Sequence, residues 1–206
     1  DQGFDFGDAP APYPTTLAQN GASHGIVPDF HMGNSVDGDQ NGRATPFAGG
    51  DDNIGDDEDG VALITDIVPN SQATVEITIS NGQQSPGILQ GWIDFDSNGV
   101  WSSEEQIFKD LAVLEGVNTL NFDVPVHAVE GSTFARFRYG YERGISVTGR
   151  TVAGEVEDYR FQIVRGGPEA IHDSYTVRRN SVDNSLPVLL NDQIRPNAET
   201  QIDSVT

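Results

Sequence analysis

From Val61 onward the chain alternates apolar and polar residues, and a period of two places successive side chains on opposite faces of a strand. Val61–Val68, Ala73–Ser80, Thr119–Val124, Thr133–Tyr139 and Glu155–Val164 follow this pattern, with Val75, Ile77 and Ile79 on one face of the second segment, while Ile88–Phe95, with Leu89, Trp92, Ile93 and Phe95, reads as a buried strand. Asn81-Gly82 is a turn signal. Separate short strands with turns between them predict an all-β fold, a β-sandwich of jelly-roll or Ig-like type. Glu104–Leu111 is read as one short helix. The 23 Gly and 11 Pro suit such a turn-rich β protein better than a helical bundle.

The flanks differ in kind. Residues 1–59 are dominated by Asp, Gly, Pro and Asn and predict a long ordered loop region with one short strand. Arg165-Gly166-Gly167-Pro168 marks a linker over 165–170, so residues 1–164 form the main domain. Residues 171–206 carry only two short apolar runs, Tyr175–Val177 and Leu186–Leu190, too few for an independent core.

A formal net charge of -21 excludes nucleic acid as a partner, because such a chain repels polyanions. Crowded carboxylates are costly without a counter-charge, so divalent cations are expected partners, with a merely acidic surface as the alternative. Without cysteine there is neither a disulfide nor a thiolate-bound zinc. No apolar run approaches a membrane span. No signal peptide is visible at Asp1, which fits either a mature N-terminus after cleavage or a piece cut from a longer chain and decides nothing about compartment.

The segment Asp94–Glu105 has the spacing D-x-D-x-N-G followed by five residues and a Glu. In a calcium loop, Asp94, Asp96 and Asn98 supply hard oxygens, Gly99 permits the sharp turn, Val100 offers its carbonyl and Glu105 closes the shell. Because Gly91-Trp92-Ile93 before it reads as strand, this is a strand-led loop and not a paired helical sensor. An Asp-rich turn without metal is the alternative. Asp37, Asp39 and Asn41 form a second, partial match with Ala48 where the closing acid belongs, so either Asp51, Asp52 or the Asp56–Asp59 cluster completes it or the segment is a solvated turn. Asp56, Asp57 and Asp59 belong to a run of six acids in nine residues and are further candidate ligands. On the Glu155–Val164 strand, Glu155 and Glu157 share a face and are expected to pair with Arg136 and Arg138, leaving Asp158 on the other face, where a metal shell with the Asp56–Asp59 cluster is open to it.

Several of these segments together resemble the GEVED domain of bacterial secreted and surface proteins. The matching pieces are FDFGDAP at Phe4–Pro10, YPTT at Tyr13–Thr16, GDDNIGDDEDGV at Gly50–Val61, GWIDFDSNGVW at Gly91–Trp101, EQIF at Glu105–Phe108, ARFRYG at Ala135–Gly140 and GEVEDY at Gly154–Tyr159. The resemblance implies an accessory, calcium-stabilised module of an extracellular or cell-surface chain, attached to exoenzymes or adhesins, with no catalytic residue to carry over. Ala170–Asp192 resembles the opening of a cadherin-like repeat of bacterial adhesins, with His172-Asp173 where an acidic pair is usual.

Enzyme signals are lacking. His24, His31, His127 and His172 have no zinc spacing and most of them are expected on the surface or in loops, and there is no nucleophile elbow, phosphate loop or cysteine nucleophile. The main alternative is a carbohydrate-binding module of an exoenzyme, for which Tyr13, Phe30, Phe47, Tyr139 and Tyr141 are the candidate aromatics; their other role is to cover the N-terminal loop against the sheet. The remaining expected partners are neighbouring domains of the parent chain and a second copy, reached by strand addition from the tail through Leu186, Val188 and Leu190.

Overall fold

The computed structural model describes residues 3–49, 58–82, 86–167, 172 and 174–187. The chain divides into two compact units, Asp1–Val164 and Arg165–Thr206. The first unit is an all-β sandwich of multiple antiparallel sheets. One sheet is built on β5 (Gln72–Asn81), which pairs along one edge with β8 (Gly116–Asp123). Its other edge takes two short strands end to end, β3 (Phe30–Met32) against residues 79–81 and β4 (Val61–Leu63) against residues 75–77. The second sheet runs β11 (Gly154–Ile163), β9 (Gly131–Gly140), β6 (Gly87–Ile93), β7 (Gln106–Val113).

The alternation seen in the sequence decides which faces meet. Val75, Ile77, Ile79 and Phe122 of the first sheet pack on Leu89, Ile93, Ala135, Phe137, Phe161 and Ile163 of the second, all buried. The edge-to-face ring pairs Phe108–Phe122 and Phe137–Phe161 lock this layer.

Three sequence expectations change. Glu104–Leu111 is not a helix: only Ser103–Glu105 forms a 3-10 turn, and Gln106–Val113 is strand β7. Ile107, Phe108 and Leu111 fit a helical stripe and a strand equally well, and pairing with β6 wins, since Gly91 leaves room for the Phe108 ring. The Val61–Val68 strand stops at Leu63; Ile67 instead bridges Ile163 in parallel. The histidines are not mostly at the surface, because His24 is fully buried and His31 nearly so.

The N-terminal region is an ordered strap over the outer face of the second sheet. It contains β1 (Phe4–Phe6) and β2 (Ser23–Gly25), which form a small sheet with β10 (Arg150–Thr151), and a 3-10 turn at Leu17–Gln19. In the second unit the described residues hold a turn in which Ser181 N donates to the Arg178 carbonyl at 3.0 Å, with Tyr175, Val177 and Leu186 exposed. Val188 and Leu190 of the expected tail strand lie outside the described residues.

Candidate metal centre

The acidic loop leaves the end of β6, and its first ligand is fixed by the sheet itself. Asp94 N donates to the Phe134 carbonyl of β9 at 3.1 Å, and the Asp94 carbonyl accepts the Thr133 hydroxyl. The side chain, fully buried, then turns into its own loop: Oδ1 accepts Asn98 N at 3.1 Å and Oδ2 accepts Gly99 N at 2.8 Å. Asp96, exposed, accepts Asn98 N at 3.1 Å and Asn98 Nδ2 at 3.0 Å. Asn98 Oδ1 accepts Val100 N at 2.8 Å. Glu105 folds back over the turn, taking Phe95 N on Oε1 and Ser102 N on Oε2, both at 2.8 Å. Gly99 has φ +81 and a side chain there would meet Pro12 Cγ at 2.4 Å, so the sharp turn and the strap both require glycine.

Carboxylate oxygens of Asp94, Asp96 and Glu105 lie within 4.8 Å of one another. A carboxylate offers about four lone-pair positions. By the bonds above and that of Tyr13, Asp94 keeps one of them, while Asp96 and Glu105 keep two each. These are hard oxygens close enough together to hold a metal ion.

The strap reaches this site through Tyr13, whose hydroxyl donates to Asp94 Oδ2 at 2.5 Å. Burial first, then the Asp94 hydrogen bond and the charges of Asp94, Glu105 and Asp96, raise its phenol well above the ordinary range, so it remains a donor. Its ring stacks on Trp101 at 4.2 Å, Trp101 Nε1 donates to the Phe134 carbonyl at 3.0 Å, and the Arg136 guanidinium lies 4.6 Å from the indole centroid. Trp101 is therefore buried in a second small core with Trp92, although it belongs to the acidic loop. Nothing in the periodicity signals this.

The other described candidate ligands stand apart from this group. Among the described residues no further group of three carboxylates or imidazoles converges. Asp39 N pairs with the Phe4 carbonyl at 2.8 Å, and Asn41 Oδ1 caps the 3-10 turn by accepting Leu17 N at 2.8 Å, so the Asp37, Asp39, Asn41 segment has a local structural role. Asp59 accepts Asn34 N at 2.8 Å and Asn34 Nδ2 at 2.6 Å. Asp56 and Asp57 lie outside the described residues.

The expected pairing of Glu155 and Glu157 with the arginines is replaced by another. Arg136 faces Asp158 in register, and Nε and Nη2 each meet a carboxylate oxygen of Asp158 at 2.7 Å, with both side chains fully buried. Asp158 Oδ2 also accepts Asp8 N at 2.9 Å and Ala9 N at 2.8 Å from the strap. Asp158 is thus a structural clamp between β9, β11 and the strap. Glu155 and Glu157 point to the inner face, where Glu155 accepts Met32 N and Glu157 accepts Gly60 N at 2.9 Å. They hold the seam where β3 and β4 meet. Tyr159 adds its hydroxyl, accepting Val61 N at 3.0 Å. Gly154 opens the strand at φ +125, where a Cβ would strike the Tyr139 carbonyl. Each acid from Gly154 to Tyr159 therefore captures backbone N–H groups from a distant segment.

Residues 88–162 match the GEVED domain family, a small accessory-type domain. The match spans both the acidic loop and the clamp of β11. No curated protein matches the chain. No helix among the described residues is long and apolar enough to cross a membrane.

Proposed function

We propose that this chain is a non-catalytic, calcium-stabilised accessory module of a secreted or cell-surface bacterial multidomain protein, acting in adhesion or assembly. The convergence of Asp94, Asp96 and Glu105 carries the reading. Three carboxylates so close repel one another, and a divalent cation relieves that repulsion using their remaining lone pairs. Calcium is the choice because it accepts six to eight oxygens in flexible geometry, and the calcium-loop spacing assigns the Val100 carbonyl and the Asn98 side chain as further ligands beside the carboxylates. Magnesium demands a tighter octahedron and keeps its waters.

A sugar-binding reading finds less support. Tyr139 and Phe30 are fully buried and build core, with ring centroids 4.6 Å apart, which leaves Tyr141, 44% exposed and stacked on Phe30 at 3.9 Å, as the exposed ring of the three.

Thermal unfolding with and without calcium tests the proposal. For an extracellular-type site of Kd about 10⁻³ to 10⁻⁴ M, calcium at roughly 100 times Kd adds about 2.7 kcal/mol, or about 5–10 °C in Tm for a unit of this size. Asp96→Asn removes a charge whose only bonds are to Asn98, and it is expected to keep the apo Tm while losing most of the calcium shift. An equal Tm in calcium and EDTA sinks the proposal.

A further inference from the structure

His24 lies in the middle of β2, wholly buried, with both ring nitrogens engaged. Nε2 is 3.0 Å from Arg138 Nε. A guanidinium only donates, so Nε2 is the lone-pair nitrogen and the proton resides on Nδ1. Nδ1 lies 3.0 Å from the Ala153 carbonyl and 2.7 Å from Thr151 Oγ1, acceptors for that proton. One neutral tautomer satisfies every contact.

Arg138 is equally confined. Its Nη1 donates to the Ser146 carbonyl and to the Thr148 carbonyl at 3.0 Å, and Nη2 to the Gly149 carbonyl at 2.8 Å. All its hydrogen-bond partners are neutral. Burial and the neighbouring Arg136 lower its pKa to about 9, with Asp158, Asp5 and Glu142 opposing, so it stays charged at neutral pH. A proton added to His24 Nε2 would remove the acceptor for Arg138 and set two cations against each other.

We propose that His24 is an acid-sensitive latch for the N-terminal strap: protonation of Nε2 releases β1 and β2 from Arg138 while the sandwich beneath stays folded.

The groups around the imidazole allow this. From β1, Asp5 stands opposite His24 in register and its carboxylate accepts Val156 N of β11. From β9, Arg138 faces His24 directly and Arg136 is held by Asp158 of β11. Glu155 of β11 accepts Met32 N, and Arg150 of β10 lies over the Phe4 ring at 3.7 Å. Burial first, then Arg138, hold the His24 pKa well below its ordinary value, with the Ala153 carbonyl opposing. The sign follows: once β2 opens, the imidazole regains an ordinary pKa of about 6.5, so the open form binds the extra proton. The closed strap is fully stable above that pH and weakens as pH falls below it. Opening is local because β1 and β2 have three residues each and β10 two, whereas β9 and β11 pair over ten. Asp8, Ala9 and Tyr13 are held independently of His24, by the carboxylates of Asp158 and Asp94.

Hydrogen exchange of the full chain, followed by mass spectrometry between about pH 7 and about pH 5 and corrected for intrinsic rates, tests the latch. Peptides covering β1 and β2 are expected to open about tenfold more per pH unit below about 6.5, with those of β9 and β11 unchanged. His24→Gln keeps an acceptor for Arg138 and a donor for Ala153 but cannot titrate, so its strap is expected to be pH-independent, while His31→Gln behaves as the parent. An unaltered slope in His24→Gln, or a flat one in His31→Gln, overturns the proposal. Should His24→Gln not fold, nitrogen NMR of the parent decides: protonation of His24 coincident with strap exchange supports the latch, and titration near the ordinary value with the strap still protected overturns it.

Discussion

The sheet formed by β11, β9, β6 and β7 has two faces, and both are buried, one by a second sheet and one by the strap. On the inner face Leu89, Ile93, Ala135 and Phe137 meet Val75, Ile77 and Phe122, and the attraction is proportional to area and indifferent to direction. On the outer face Gln90, Arg136, Arg138 and Asp158 meet hydrogen-bond partners, among them carboxylates, backbone groups and His24, beside the small core of Tyr13, Trp92 and Trp101. The first face is specified by shape and tolerates exchange of one hydrophobe for another. The second is specified by partner, and losing one partner leaves the other buried and charged.

The largest effect tests that difference directly. Asp158→Asn strands the Arg136 guanidinium in a fully buried site, and breaking a buried pair from one side costs about 3–5 kcal/mol. Ile77→Leu, a volume-conserving change on the inner face, is expected to cost under about 1.5 kcal/mol. Urea unfolding of both variants gives the ranking. Equal losses would mean that the outer face is held by area after all.

Gly99→Ala is expected to come next. It imposes left-handed strain of about 1–3 kcal/mol and drives a methyl group into Pro12. Because Pro12 belongs to the strap, the variant should admit protease before Leu17 well before the sandwich unfolds. Nicking that appears only with global unfolding would show the two regions to be one cooperative unit.

The two faces were also unequally legible. Alternation at Ala73, Val75, Ile77 and Ile79, and again at Ala135, Phe137 and Tyr139, reveals the inner face, because a period of two is a local property. The acidic loop is legible for a similar reason: spacing in one short segment brings Asp94, Asp96 and Glu105 together. The outer face is not. Asp158 meets Asp8 N across 150 residues and Tyr13 meets Asp94 across 81, and no spacing rule encodes such a pairing. The charge pattern even favours the wrong partners, since Glu155 and Glu157 alternate toward the inner face while Arg136 and Arg138 face outward. The same distance hides His24, an isolated histidine in the Gly-rich strap whose partner Arg138 lies 114 residues away.

The smallest effect belongs at the rim of the strap, where the two kinds of burial should converge to nearly nothing. Phe47 is 67% exposed, and the Arg160 guanidinium lies 4.8 Å from its ring centroid. Arg160 sits on β11 opposite Phe134, on the same outer face as Asp158, but solvent reaches it and screens the cation–π attraction. A double-mutant cycle of Phe47→Ala and Arg160→Ala is therefore expected to give a coupling of about 0.5–1 kcal/mol, against several for the clamp only two residues along the same strand. Burial, and not the identity of the charged residue, would then set the scale of each contact. A coupling of about 2 kcal/mol or more would show the rim to be desolvated like the centre, and the strap would be seated more deeply than the exposure of Phe47 implies.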